Sequence, residues 1–334
     1  MKKQNECLNF FKGIACILVV SLHVRFPVEA VDGVIQCIAR FAVPLFFMIS
    51  GYYCCFEDDG IYLKKLPGKI KHIVKICLLS MGFWIVMQYA VCFLGAGEHD
   101  ATALTASILS INSLVRLVLL NDDPVISILW FLFALLYCYL IYYLAARIKC
   151  LKVLPKLVVP ALILHFVIGN VGTGLLNWSI DVEYYRNVWL MGLPLFTIGH
   201  GIKKKQDVIL KKVEAREALL LLLSGVVLSL IEWSIVGGRQ QMYVGSIVMA
   251  ASCIIYSVWN VNRRVIAPVA YIGRFLSMYV YVLHISVGII LDRVAKMIHV
   301  NEMFSYQCMK PTLVILSTIV ISVLISSVMR KMRS

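Results

Sequence analysis

Apolar residues run along this chain in blocks of sixteen to two dozen positions, separated by short polar stretches rich in lysine and arginine. The blocks are too long and too regularly spaced for the core of a soluble domain, and no alternation at every second residue marks strands. Ten spans are predicted, at about 8–26, 34–56, 73–94, 125–146, 157–172, 187–202, 217–236, 242–259, 270–291 and 311–329. The fold class read from this pattern is an all-α, polytopic membrane protein of about ten transmembrane helices, forming a single domain. The span at 157–172 is short and carries Pro160, His165 and Gly169, so a kink or break is expected there. Residues 95–124 contain the apolar stretch Leu104 to Leu120, interrupted by Asn112 and Arg116. That stretch is expected to lie along the interface or form a partial lid rather than to cross.

Charge orients the spans. With the N-terminus in the cytoplasm, 22 of the 32 lysines and arginines fall in cytoplasmic segments. They cluster at Lys2 and Lys3, Lys64–Lys75, Arg147–Lys156, Lys203–Arg216, Arg263–Arg264 and Arg330–Arg333. Seven lie outside (Arg25, Arg116, Arg186, Arg239, Arg293, Lys296 and Lys310), and Lys12, Arg40 and Arg274 sit within spans or at their mouths. This asymmetry is the positive-inside signature, and it puts both termini in the cytoplasm. The net charge of +14 is therefore read as an orientation signal and not as a nucleic-acid footprint; the expected surroundings are lipids of a cell's inner (plasma) membrane. A cleaved signal peptide is not expected, because the first apolar run ends at His23-Val24-Arg25 without a small-residue exit.

The eleven cysteines do not form a disulfide framework, since only Cys308 falls clearly outside. No metal-ligand spacing occurs, so no metal is expected. Adjacent Cys54 and Cys55 read as apolar packing, with acylation as the alternative.

Ionisable groups inside the spans change the picture. In LNFFKGIACILVVSLH, Lys12 and His23 are eleven residues apart, about 20° beyond three turns, so one helix face carries both, roughly 16 Å apart along the axis. A charge in a membrane helix points by default to a pathway lined by protein or water. Arg40 enters the second span about 9 Å below the outer surface, near the depth of His23, with no fixed acid evident in either flank. In the ninth span Arg274, Ser277, Tyr281 and His284 follow the i, i+3, i+7, i+10 stripe of a regular α-helix, a cation at the cytoplasmic mouth and an imidazole at depth. Two helices of the same polarity predict a shared site. Ser50-Gly51 is read as a close helix contact, Trp130 as an interfacial anchor, and Glu232 and Trp233 as facing loop water. Arg186-Asn187 either touches an outside substrate or snorkels, and His72, His99, His165, His200 and His299 have no partner evident in the sequence.

These residues carry a resemblance. The chain resembles the acyltransferase-3 family of integral membrane acyltransferases over nearly its whole length. The family's basic residue, ten positions and histidine are Lys12 to His23; its Arg…Pro-x-Phe-Phe-x-x-Ser-Gly-Tyr block is Arg40 to Tyr52. A basic cytoplasmic stretch (Lys64, Lys65 through Lys71), Trp130-Phe131-Leu132, and a late Gly-x-x-x-Ser…Tyr-x-x-His approximation from Gly273 to His284 complete it. One departure is Asn9, where many relatives carry an acid. The resemblance implies transfer of an acyl group, usually acetyl, from cytoplasmic acyl-CoA to a hydroxyl of an extracytoplasmic or lipid-linked glycan. Lys12, Lys64, Lys65, Arg274 and Ser277 would then hold acetyl-CoA at the inner mouth. His23 would serve as general base or transient acyl carrier, with Arg40, Tyr281 or His284 stabilising the oxyanion.

Two other readings stay open. VPLFFMISGYY and RNVWLMGLPLFTIG also resemble the membrane half of membrane-bound serine racemases, against which stands the expectation that no racemase domain follows Ser334. A transporter or lipid-linked-sugar flippase would explain buried cations without chemistry, but predicts inverted repeats that are not evident.

Overall fold

The computed structural model describes residues 5–93, 101–237, 240–261 and 263–332. Lys2, Lys3, His99, Arg239 and Arg333 of the sequence reading lie outside these residues. Among the described residues there is no strand. The helices, in order, are α1 (Glu6–His23), α2 (Glu29–Ala39), α3 (Ala42–Tyr52), α4 (Asp59–Phe93), α5 (Ala101–Leu109), α6 (Ile111–Leu120), α7 (Trp130–Arg147) and α8 (Leu154–Phe166). There follow α9 (Leu193–Lys204), α10 (Gln206–Lys212), α11 (Ala215–Val236), α12 (Val244–Trp259), α13 (Ala267–Tyr271), α14 (Ser277–Met297) and α15 (Phe304–Lys331). Each of the ten predicted spans falls on helix. Eight helical stretches are long and apolar enough to cross a membrane, or nine if the bent pair α5–α6 counts as one. The protein is an all-α, multi-pass membrane protein. The shortfall from ten lies in α12, with 16 residues, and in α9, whose 12 residues are preceded by a five-residue π-helical turn at Val188–Gly192. At about 1.5 Å per residue neither spans a core of roughly 30 Å on its own.

The helices gather into two compact units. One comprises the chain up to Ile49 and from Lys205 onward; the other is Ser50–Lys204. The boundaries fall inside α3 and at the end of α9.

In the first unit, α1 starts at Asn5, whose side chain accepts the Leu8 N–H at 2.9 Å, and carries Glu6 where the helix dipole favours an anion. It crosses α13 and the following turn with almost no gap. A Cβ on Gly13 would collide with the Val269 carbonyl, and one on Gly273 with the Asn9 carbonyl. Glycines at both contact points let two backbones touch, as small residues do between membrane helices. Around that crossing Cys16, Val20, Val24, Leu276, Val280, Val287 and Val314 form a continuous apolar core of α1, α14 and α15.

In the second unit Gly51 meets the backbone of Phe196, which bears out the close-contact reading of Ser50-Gly51. The expected break near 157–172 is a change of pitch: α8 passes into a π-helical run at Val167–Leu175. Helices α5 and α6 are bent by 54° against each other, and α6 buries none of its side chains. Cys54 is buried and Cys55 half-buried, and all eleven cysteines are free.

Candidate functional site

His23 is the last residue of α1, and the chain turns to extended backbone at Val24. Its ring lies 5.1 Å, centroid to centroid, from that of His284 in the middle of α14, at an interplanar angle of 51°. The two imidazoles differ in setting: His23 is exposed, whereas His284 is 0% exposed. The Nδ1 of His284 sits 3.0 Å from the Val280 carbonyl. A carbonyl only accepts, so Nδ1–H donates, and Nε2 is the ring's other nitrogen. That Nε2 is buried with no hydrogen-bond partner among the described residues. Tyr281 lies beside it, ring centroids 6.5 Å apart. Sequence reasoning expected the two helices to share a site because they have the same polarity, and the fold sets these two rings side by side.

The opposite end of the same helices holds Lys12 and Arg274. Lys12 is half-buried one turn before Cys16, whose Sγ approaches the Ser277 carbonyl at 3.9 Å. Arg274 follows Gly273 at the backbone crossing and is exposed. Its guanidinium pairs with Glu6 at 3.5 Å and lies over the Phe275 ring.

The regular stripe expected through Arg274, Ser277, Tyr281 and His284 needs correction. Residues Ile272–Leu276 form a π-helical turn. A π turn holds about 4.4 residues in place of 3.6, so the phase slips just before α14 begins. Arg274 is thereby turned off the line of Ser277, Tyr281 and His284; it reaches Glu6 of α1, while His284 meets His23 at the other end of that helix.

Arg40 ends α2 at the break before α3, half-buried, within electrostatic range of Cys37 and Tyr243. The sequence showed no fixed acid in either flank, yet Asp32 of α2 is a buried carboxylate, and Glu232 of α11 acts on the same two residues as Arg40. Glu232 does not face loop water either: its two oxygens accept the N–H groups of Val244 and Gly245 at 2.8 and 2.9 Å, capping α12. Trp233 packs over Gly33.

Lys64 and Lys65 belong to the second unit and are exposed on α4; Lys65 lies 4.9 Å over the Phe56 ring. That unit holds further polar contacts the sequence did not disclose. Tyr62 and His200 share a buried hydrogen bond of 2.5 Å, and the Nδ1–H of His165 donates to the Tyr185 carbonyl at 2.8 Å. Arg186 stacks on Trp130 and donates to Ser127. Asn187 is buried and caps the π turn after it. Arg116 bridges Asp122 and Glu183. Beside them Asp123 is buried, which pushes its carboxyl up to about 6 against the opposing pull of the Val125 and Ile126 amides. Among the described residues no group of three His, Cys, Asp or Glu side chains is placed to hold a metal ion.

A sequence profile described as an acyltransferase domain matches residues 5–331. The chain belongs to that family. It is a membrane acyltransferase. No curated protein and no solved structure shows significant similarity to it. In this acyltransferase the match takes in both imidazoles of the pair and both cations at the other end of these helices.

Proposed function

We infer that the acyltransferase moves an acyl group, acetyl in the first instance, from cytoplasmic acyl-CoA to a hydroxyl of an extracytoplasmic or lipid-linked glycan in a cell's inner membrane. The observation that carries this reading is the apposition of an exposed imidazole, His23, and a buried one, His284, at 5.1 Å. An acceptor hydroxyl reaches His23 from outside the helix bundle. As general base its ring takes the hydroxyl proton while the oxygen attacks the thioester carbonyl, and CoA leaves as the thiolate or thiol. As transient carrier the ring accepts the acyl group first and passes it to the hydroxyl. In either route negative charge grows on the carbonyl oxygen, and Arg40 with Tyr281 offers donors to it, while His284, whose Nδ1–H is taken by Val280, presents Nε2 as an acceptor. Lys12 and Arg274 supply charge for the phosphates of CoA at the opposite end of the same helices.

The test uses inverted membrane vesicles and acetyl-CoA labelled in the acetyl group. Label is expected in a glycan fraction with the wild-type chain and at background with His23→Ala. Equal labelling by the two proteins would end the assignment of His23, and label crossing the membrane without transfer would favour transport.

A further inference from the structure

The chain holds His23 from both sides with a pair of side chains on one neighbouring helix. Three residues after His23, the backbone N–H of Phe26 donates to Asp32 Oδ1 at 3.1 Å. Two residues before it, the Ser21 carbonyl accepts from Gln36 Nε2 at 2.5 Å. Ser21 is in the last turn of α1, where helix carbonyls lack intrahelical partners, so this bond takes up one of the orphan acceptors. Asp32 and Gln36 are one turn apart on α2 and so present one face. Each is only 4% exposed.

Neither placement is what packing alone would select. A carboxylate is seldom buried without compensation. Asp32 gains it from the Phe26 amide and from its position in the first turn of α2, at the positive end of the helix dipole. Gln36 keeps its Oε1 buried with no hydrogen-bond partner among the described residues, a cost that an apolar side chain of the same size would avoid.

We propose that Asp32 and Gln36 are positioning residues that lock the end of α1 so that the His23 ring stays against His284 in reacting geometry. They act through His23 and touch neither acyl donor nor acceptor. The proposal rests on the acyl-transfer reading for its kinetic consequence, but the fixing of His23 is measurable without it. Displacing a catalytic group by an ångström costs about a hundredfold in rate, so loosening this clamp is expected to act on turnover more than on donor binding.

The full-length protein in inverted vesicles is compared as wild type, Asp32→Ala, Asp32→Asn, Gln36→Leu and His23→Ala. CoA release from acetyl-CoA gives kcat and KM, thermal stability reports folding, and the rate of His23 carbethoxylation by diethylpyrocarbonate is read by peptide mass spectrometry. Asp32→Ala and Gln36→Leu are expected to lower kcat about tenfold or more, with KM for acetyl-CoA within about twofold and His23 carbethoxylation shifted about threefold or more. Asp32→Asn, whose amide oxygen still accepts from Phe26, is expected to recover most of that kcat. Wild-type carbethoxylation and kcat in both Asp32→Ala and Gln36→Leu overturn the clamp. So does a loss of kcat that follows thermal stability alone and that Asp32→Asn does not restore. Should the wild type release no more CoA than His23→Ala, the acyl-transfer reading fails, and the carbethoxylation rates alone decide whether the clamp exists.

Discussion

His284, buried in the middle of α14, meets His23 at the very end of α1 with ring centroids 5.1 Å apart. Under the proposed acyl transfer the two residues have unequal tasks. Replacing His23 by alanine removes the group that an acceptor can reach, and acyl transfer is expected to fall about a hundredfold or more. His284→Gln, which keeps a polar group of similar reach, is expected to retain more activity than His284→Leu. Initial rates in vesicles check both; equal activity in the Gln and Leu variants would remove His284 from the chemistry.

The Arg274–Glu6 pair, at 3.5 Å with both side chains partly exposed, competes with any phosphate for the guanidinium. An exposed pair of this kind is worth about 1 kcal/mol or less, so stability should barely change in Glu6→Gln. Freeing the guanidinium is expected to lower KM for acetyl-CoA severalfold at low salt, and Arg274→Ala to raise it, with kcat steady in both. Donor titrations at two ionic strengths decide, since the gain should shrink as salt screens it. An unchanged KM in both variants would leave Arg274 a structural partner of Glu6 only.

The crossing of α1 with α13 leaves no room for a side chain. Gly13→Ala and Gly273→Ala each force a methyl into a backbone carbonyl. Overpacking of this sort costs typically about 1–3 kcal/mol. Both variants are expected to melt several degrees below wild type by fluorescence-detected thermal unfolding in detergent, and the double variant is expected to melt lower still. Ala variants as stable as wild type would show that the helices part readily.

Burial raises the Asp123 carboxyl from its ordinary 3.8 to about 6. The folded chain therefore binds this proton more tightly than the unfolded chain does. Between about pH 4 and 6 its contribution favours folding more strongly as the pH falls, and above about 6 the cost of burying the charge is fully felt. Asp123→Asn keeps an oxygen for the Val125 and Ile126 amides and carries no charge. Relative to wild type it is expected to gain thermal stability at pH 7.5, and that advantage should fade toward pH 4.5. A constant difference across that range would mean the carboxyl titrates elsewhere.

Much of the architecture was legible because membrane helices announce themselves by length and apolarity: helix covers each of the ten expected segments, of which eight belong to stretches long and apolar enough to cross. Lys12 and His23 were placed on one face correctly since α1 is a regular helix throughout. The stripe on the ninth span was not, because its spacing assumed 3.6 residues per turn and Ile272–Leu276 is π-helical. Asp32 and Gln36 went unseen for another reason. They fall in a loop-and-helix segment that reads as the outer edge of a span, and only the packing of α2 on α1 buries them. Glu232 was misread likewise: a carboxylate near a loop gives no sign that the next helix begins within its reach. The pairs Tyr62–His200 and His165–Tyr185 join residues far apart in the chain, a relation that no local spacing encodes.

The wide turn at Ile272–Leu276 makes α14 and its approach behave like a shaft with one surplus notch. Five residues at about 4.4 per turn sweep nearly the same angle as four at about 3.6, so deleting a single residue there and restoring ordinary pitch would turn the Arg274 end by only about 10° relative to His284. The same deletion in the regular part of α14 would swing that end by about 100°, which makes this short segment the place on the helix where the loss of one residue is absorbed with the least change of bearing.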